Sequence, residues 1–388
     1  MPARSRSLLR RTPYAKSSDE ALRGAGPQIA EIATSAYKIP TDAPESDGTL
    51  QWDGTTMVLA EISAGGKTGL GYSYCSAAAV EIIQATVAER LKGADAFSIP
   101  RLWEVMVGAV RNVGWRGVAA NAISAVDIAL WDLKAKLLEL PLTELFGRAQ
   151  DRVEAYGSGG FTSYDNSRLA EQLGRWAKEQ GCRAVKMKIG RKPEEDVARV
   201  QVAHSAIGNA QLFVDANGAY SRKQALQFSE AFADLGVRWF EEPVSSDDLE
   251  GLRLLRDRAP PVIDIAAGEY GYEHFYFRRM LQAGAVDVLQ IDATRCCGYT
   301  GFLAAAAIAN GFSIPISSHC APAIHLAVAA ACAHLRHMEW FHDHVRIEHM
   351  LFDGAPDLRD GYAAPNVQTA GHGLQFKRVD AEKFRVAK

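Results

Sequence analysis

The sequence predicts an α/β protein: a TIM-type (β/α)7β barrel with an α+β capping domain built from the N-terminal segment and the C-terminal tail. Three observations carry this expectation. From Val153 onward, short β-prone runs alternate with longer helical ones at intervals of roughly 20–30 residues, the size of one βα unit. Eight such runs can be marked, and seven consecutive ones end in, or just before, an ionisable residue. Upstream of them the order differs, with strands first and helices after, as in a small α+β unit.

The eight runs are Val153–Tyr156, Ala184–Ile189, Leu212–Asp215, Val237–Glu241, Val262–Ala267, Val286–Ile291, Ser313–Ser317 and Leu335–Glu339. A doubly wound open sheet would need a GxGxxG turn after its first strand, and none follows Val153–Tyr156. The expected layout is an extended or disordered tail over 1–27, a cap over 28–150, the barrel over 151–352 and a returning segment over 353–388.

Within the cap, Ile29, Ile32, Tyr37 and Ile39 mark one strand, and Thr56–Ile62 is a strong β run closed by Gly65-Gly66. Thr41 to Trp52 reads as a polar loop holding Asp42, Glu45 and Asp47. Helical spacing runs from Ala77 to Leu91 and from Val118 to Leu140, the second punctuated by Pro141 and Gly147. The basic run Arg4 to Arg11 is like the start of a signal peptide, but no apolar stretch follows it. After Phe352 the chain is loop-rich, with Pro356, Pro365, Gly371 and Gly373.

Composition bounds the function. Of 388 residues, 48% are hydrophobic and 23% charged, enough for a large soluble core. A net charge of −3 gives no basic face for nucleic acid. No stretch matches a membrane helix. The six cysteines form no CxxC pair and no disulfide framework, so buried reduced thiols in the cytoplasm are expected. Cys296 and Cys297 are adjacent, poorly placed for a shared metal, and have no assigned role.

In a TIM barrel the C-terminal strand ends form the mouth of the active site. That rule gathers Lys186, Lys188, Asp215, Glu241, Glu269, Asp292, His319 and Glu339 around one cavity. Lys186 and Lys188 share a strand face, and two buried lysines on a barrel strand are costly unless they serve a site. Asp215, Glu241 and Glu269 could each cap a helix. As a set from adjacent strands they are hard oxygen donors suited to Mg²⁺. Glu241 is preferred to Glu242 because it continues the strand, whereas Glu242 precedes Pro243 and is expected in a structural pair at the rim. Asp292 beside His319 would fix the tautomer of an acid or base. A zinc-type hydrolase would show HxH near the first strand, and Val153–Phe161 has no histidine.

The motifs VKMKIG, VDANGAY, WFEEPV, AAGEY, QIDATRCCG and SSHCAP occur in that order, after the helix GVAANAISAVDIALWDLKAKLLELPLTELFG. From about residue 28 the chain resembles the enolase superfamily, and within it the mandelate racemase subgroup. The resemblance implies roles. Asp215, Glu241 and Glu269 would bind Mg²⁺. Lys188 would be the base on one substrate face, with its pKa lowered by Lys186. His319, paired with Asp292, would act on the other face. Glu339 would donate a hydrogen bond to the enediolate formed by loss of the proton α to a carboxylate. Asn217 would touch substrate or metal. The substrate-covering loop would be Thr41–Trp52. Its Asp42, Glu45 and Trp52 are expected to contact substrate, with His337, Phe341, His342 and His344 as distal contacts.

A base on each face allows dehydration of a sugar acid to a 2-keto-3-deoxy acid, or racemisation or epimerisation of a 2-hydroxy acid. The acidic loop favours dehydration. Cycloisomerisation in muconate-lactonizing relatives uses a lysine on each face, which His319 argues against. The intact ligand set and both bases argue against a non-catalytic relative. The expected partner is a small carboxylate, with no nucleic acid or membrane, in a homo-oligomer such as a dimer or octamer.

Overall fold

The cap is built on a run of residues that is apolar on both faces. The computed structural model describes residues 24–387, so Arg4–Arg11 and most of the expected tail lie outside the described residues. Three antiparallel strands follow one another: β1 (Ile29–Ser46), β2 (Gln51–Ala64) and β3 (Lys67–Tyr74). Val58, Ala60 and Ile62 of β2 pack into the cap helices, while Met57 and Leu59 join the core shared with the barrel. The helix Val118–Leu137 lies on β3. It comes so close that a Cβ on Gly71 would stand 2.3 Å from the Ala125 carbonyl oxygen. Across its other side, Asp127 and Trp131 bond to Thr300 of a barrel helix, tying cap to barrel.

The expected loop over Thr41–Trp52 is mostly a β-ribbon. β1 and β2 pair on to Glu45↔Trp52 and Ser46↔Gln51, past a register shift between Pro40 and Glu45. Only Asp47–Leu50 turns, with Asp47 Oδ1 accepting from the backbone N–H of Thr49 and Leu50 at 2.6 Å each. The residues the ribbon buries are polar, Glu45 and Ser46 among them, with only Ala43 and Trp52 packed on the Phe161–Phe341 cluster, so the apolar alternation that marks a strand is missing. The expected helix over Ala77–Leu91 is present, with a π-helical turn at Ile83–Ala88.

The barrel strands are β4 (Val153–Gly159), β5 (Ala184–Lys188), β6 (Gln211–Asp215), β7 (Val237–Glu241), β8 (Asp264–Ala267), β9 (Val288–Ile291), β10 (Ile316–Ser318) and β11 (Leu335–Phe341). Each pairs in parallel with the next, and β11 pairs with β4 to close the barrel. All eight fall on the expected runs. β10 begins late, after Ser313 in the left-handed region (φ 57°) and Pro315, both poor strand residues. Inside the barrel, Tyr156, Ala184, Phe213, Trp239, Ala266 and Val288 form a buried apolar plug. The plug leaves the upper ends of the strands for polar residues.

The tail returns to the cap: Arg385–Ala387 pairs with β1, and the Phe376 ring lies 5.2 Å from that of Tyr37. All six thiols are free, and all but Cys75 are buried. No helix among the described residues is long and apolar enough to cross a membrane.

Candidate active site

Strand alternation determines what faces the barrel mouth. Above the plug stand Ser158 on β4, Lys186 and Lys188 on β5, Asp215 on β6 and Glu241 on β7. Asp292 follows β9, His319 follows β10, and Glu339 lies on β11. Glu269 arrives by a special turn. Gly268 has φ 139°, and a Cβ there would sit 2.1 Å from the Gln290 carbonyl oxygen. Only glycine lets the chain pass that close and deliver Glu269 to the rim.

Asp215, Glu241 and Glu269 are buried, and one carboxylate oxygen from each lies within 4.8 Å of the others. Burial, then the charge of Asp215, pushes Glu241 above the usual carboxylate range. Glu269 Oε2 is buried without a hydrogen-bond partner. Three crowded hard-oxygen donors with an unsatisfied oxygen fit an Mg²⁺ ion. Trp239 Nε1–H donates to Glu241 Oε2 at 2.9 Å and fixes that carboxylate.

Lys186 is wholly enclosed, with Nζ 2.5 Å from Glu241 and 2.8 Å from Glu339. Lys188 pairs with Asp215. Burial opposes the charge on Lys188, but Asp215, Glu269 and Glu241 together outweigh burial and raise its pKa above the ordinary lysine value. This corrects the expectation that Lys186 depresses Lys188. The charge of Lys186 does act in that direction, but its carboxylate partners and Asp215 dominate.

Glu339 also departs from expectation. Although burial favours its neutral form, Lys186 and His319 hold it well below the usual range. As an anion it accepts from Ser158 Oγ at 2.6 Å and from the Cys320 backbone N–H at 2.7 Å. In this environment it is an acceptor and not the expected hydrogen-bond donor.

His319 Nδ1 lies 2.8 Å from Asp292 Oδ2, and Thr294 donates twice to the other Asp292 oxygen at 2.7 Å. Burial works against a charged His319, yet Cys320, Glu269 and Glu339 raise it well above the usual histidine range. Cys320 and Ala321 both have positive φ, 52° and 38°. These strained residues aim the His319 ring at the site. Lys188 and His319 therefore stand at the two ends of the arc that carries the three carboxylates.

Other expected residues fall elsewhere. Asn217 (φ 46°) bonds back to Asp215 through its N–H at 2.9 Å and keeps a buried, unpartnered Oδ1. Asp42 is tied to Arg168 and His342, at 3.4 and 3.2 Å, and so has protein partners in place of a substrate hydroxyl. Trp52 donates to Glu45 Oε2 at 2.8 Å and packs edge-on against Phe161, so its ring and N–H are both engaged. Glu45 Oε1 is buried and unpartnered, and burial together with Asp343 raises that carboxyl to about 8. Glu242 is buried with φ 39° and forms no rim pair. His337 lies in the barrel interior against Tyr156 and is no contact at the mouth, whereas His344, stacked on Tyr74, lines a cavity with Asp292 and Arg295.

Arg295, Ser158 and Cys320 were not singled out from sequence. Arg295 Nη1 is 3.2 Å from Glu269, and its position three residues after Asp292 was the only available signal.

Comparison with known proteins agrees with this geometry. Residues 38–147 match the mandelate racemase / muconate lactonizing enzyme N-terminal domain, and residues 168–380 match the enolase C-terminal domain-like family. A 3,6-anhydro-alpha-L-galactonate cycloisomerase of Streptomyces coelicolor is 32% identical over 90% of this chain and 98% of its own. An L-talarate/galactarate dehydratase of Salmonella typhimurium is 31% identical over 87% of this chain and 86% of its own. A mandelate racemase/muconate lactonizing enzyme-like protein of Rubrobacter xylanophilus superposes with TM-score 0.91 at 51% identity, over 93% of this chain and all of that one. A racemase of Streptomyces coelicolor, solved with bound magnesium, gives TM-score 0.87 at 30% identity over 92% of this chain and 100% of its own. The chain belongs to the mandelate racemase/muconate lactonizing enzyme group of the enolase superfamily.

Proposed function

We propose that this chain is a Mg²⁺-dependent acid sugar dehydratase. The observation that carries the reading is the placement of Lys188 and His319 at opposite ends of the Asp215–Glu241–Glu269 arc. Those three carboxylates would hold Mg²⁺, which supplies Lewis-acid stabilisation for charge developing on the substrate carboxylate. The relative solved with bound magnesium supports that assignment.

In this reading the proton α to the carboxylate passes to Lys188 Nζ. Lys188 can accept it only once the charge of Asp215 is taken up, so the base and the ligand set are coupled. Lys186 supplies positive charge under the site where the enediolate develops. Glu339 holds Lys186 and the Cys320 turn in place. His319, protonated and oriented by Asp292, donates from Nε2 as the β-carbon–oxygen bond breaks and water leaves. The remaining enol tautomerises to a 2-keto-3-deoxy acid. The likeness to an L-talarate/galactarate dehydratase favours dehydration over racemisation.

The likeness to a cycloisomerase supports a second reading, ring opening of an anhydro or lactone acid by the same two groups. It removes the force of the argument from His319 against that outcome. A screen of aldonates, aldarates, uronates and their deoxy, anhydro and lactone forms with Mg²⁺ separates the readings. Keto-acid release that requires Mg²⁺ and is lost in His319→Asn supports dehydration. Isomerisation of a cyclic acid without loss of water supports the second reading. Epimerisation alone would overturn both.

A further inference from the structure

Cys320 takes no part in the proposed reaction, yet its thiol points into the site. Its turn is held by its own N–H to Glu339, by the Ala321 N–H to His344 Nδ1 at 3.2 Å, and by His325 Nδ1 to the Cys320 carbonyl at 2.9 Å. In that conformation Sγ lies 3.3 Å from His319 Nε2, and Glu339 Oε2 lies 3.8 Å from the same nitrogen. One donor atom from each of the three buried residues falls within 4.8 Å of the others. Metal–sulfur and metal–nitrogen bonds of about 2.3 and 2.0 Å place neighbouring tetrahedral ligands roughly 3.3–3.8 Å apart. The Cys320 Sγ and Glu339 Oε2 distances from Nε2 already match such edges. Glu269 Oε2, 3.2 Å from the same nitrogen, stands outside this three-donor cluster.

We infer that His319, Cys320 and Glu339 form a second cation site that takes a thiophilic divalent ion, Zn²⁺ or Cd²⁺, with water as the fourth ligand, and that the ion inhibits the enzyme. Thiolate and imidazole select such ions, whereas Mg²⁺ prefers octahedral oxygen. The ion would occupy His319 Nε2, the atom that serves the reaction. His319 serves the proposed reaction, and to that extent the inferred inhibition rests on that reading.

The probe is Co²⁺ titrated into the full chain with Mg²⁺ in excess. Cobalt among octahedral oxygens absorbs weakly. A four-coordinate site with thiolate gives strong visible bands and a sulfur-to-cobalt charge-transfer band. The expected result is that band in the native protein and its loss in Cys320→Ser. The variant should keep Mg²⁺ affinity within about twofold, and Cd²⁺ inhibition should weaken by about tenfold or more. A native protein without the band overturns the inference whatever the variant does. So does a band that survives in Cys320→Ser, which would place the thiolate elsewhere. The spectrum needs no substrate, so failure of the dehydratase assay leaves the inference standing. Loss of Mg²⁺ binding is read separately, in Asp215→Asn.

Discussion

Replacing Lys186 by methionine tests the charge balance that underlies the site. Lys186 Nζ is the common counter-ion of Glu241 and Glu339, 2.5 and 2.8 Å away and wholly buried. Methionine keeps much of the packing but leaves two buried carboxylates without their shared cation. Removing one partner of a buried pair costs about 3–5 kcal/mol, because the charge left behind is uncompensated. Unfolding entropy for a chain this long is roughly 0.8 kcal/mol/K, so the melting midpoint should fall by about 4–6 °C in EDTA at pH 8. The sign of the pH dependence follows from Glu339. Its folded pKa lies below the ordinary value of 4.5, so its contribution is present above that value and lost as pH falls through the folded one. In Lys186→Met that contribution is already gone, so the deficit should shrink in acid. Thermal and urea unfolding at pH 8 and at about pH 3, below the ordinary value of 4.5, followed by circular dichroism, measures both. A variant as stable as the native protein at pH 8, or a deficit that grows in acid, would refute the view that Lys186 neutralises charged Glu339.

Glu45 should act in the opposite sense. Its folded pKa is raised to about 8, so the native state loses stability as pH rises from about 4.5 to 8, and Glu45→Gln should flatten that part of the urea-unfolding profile. Gly268→Ala should cost at least about 2 kcal/mol in chemical denaturation, because its Cβ would meet the Gln290 carbonyl, and should weaken Mg²⁺ binding measured by calorimetry by displacing Glu269. Asp292→Asn should lower turnover about 100- to 10,000-fold with little change in folding midpoint, since it releases the His319 ring from its fixed tautomer. Adding Mg²⁺ at about 100 times its dissociation constant to EDTA-treated protein should stabilise it by about 2.7 kcal/mol, read as a rise in midpoint that Asp215→Asn abolishes.

The barrel was legible because strand periodicity and strand-end chemistry coincide. Lys186, Lys188, Asp215, Glu241, Asp292, His319 and Glu339 all stand at strand ends, and the fold brings strand ends together. Glu269 was legible through the same spacing, although the reason it reaches the site, the passage of Gly268 against Gln290, is a backbone contact that no residue pattern encodes. Charge states were not legible. Sequence placed Lys186 beside Lys188 and suggested repulsion, but the sign of the shift depends on carboxylates delivered by three other strand ends. The covering segment was misread for a related reason. Asp42, Glu45 and Asp47 look like solvated loop residues, whereas pairing with Arg168, His342, Trp52 and the backbone lets the same polar stretch form a ribbon. The π-helical turn at Ile83–Ala88 leaves no mark in the apolar spacing.

The most direct test of the account is solvent deuterium exchange at the carbon α to the carboxylate, followed by NMR with a responsive sugar acid. Native protein with Mg²⁺ should place deuterium at that carbon or convert the substrate. His319→Asn should still exchange through Lys188 while releasing no keto acid, and Lys188→Ala or EDTA should abolish turnover of the substrate. Exchange and product formation that persist in Lys188→Ala with EDTA present would contradict the claim that Lys188 and the Asp215–Glu241–Glu269 set together remove the α-proton.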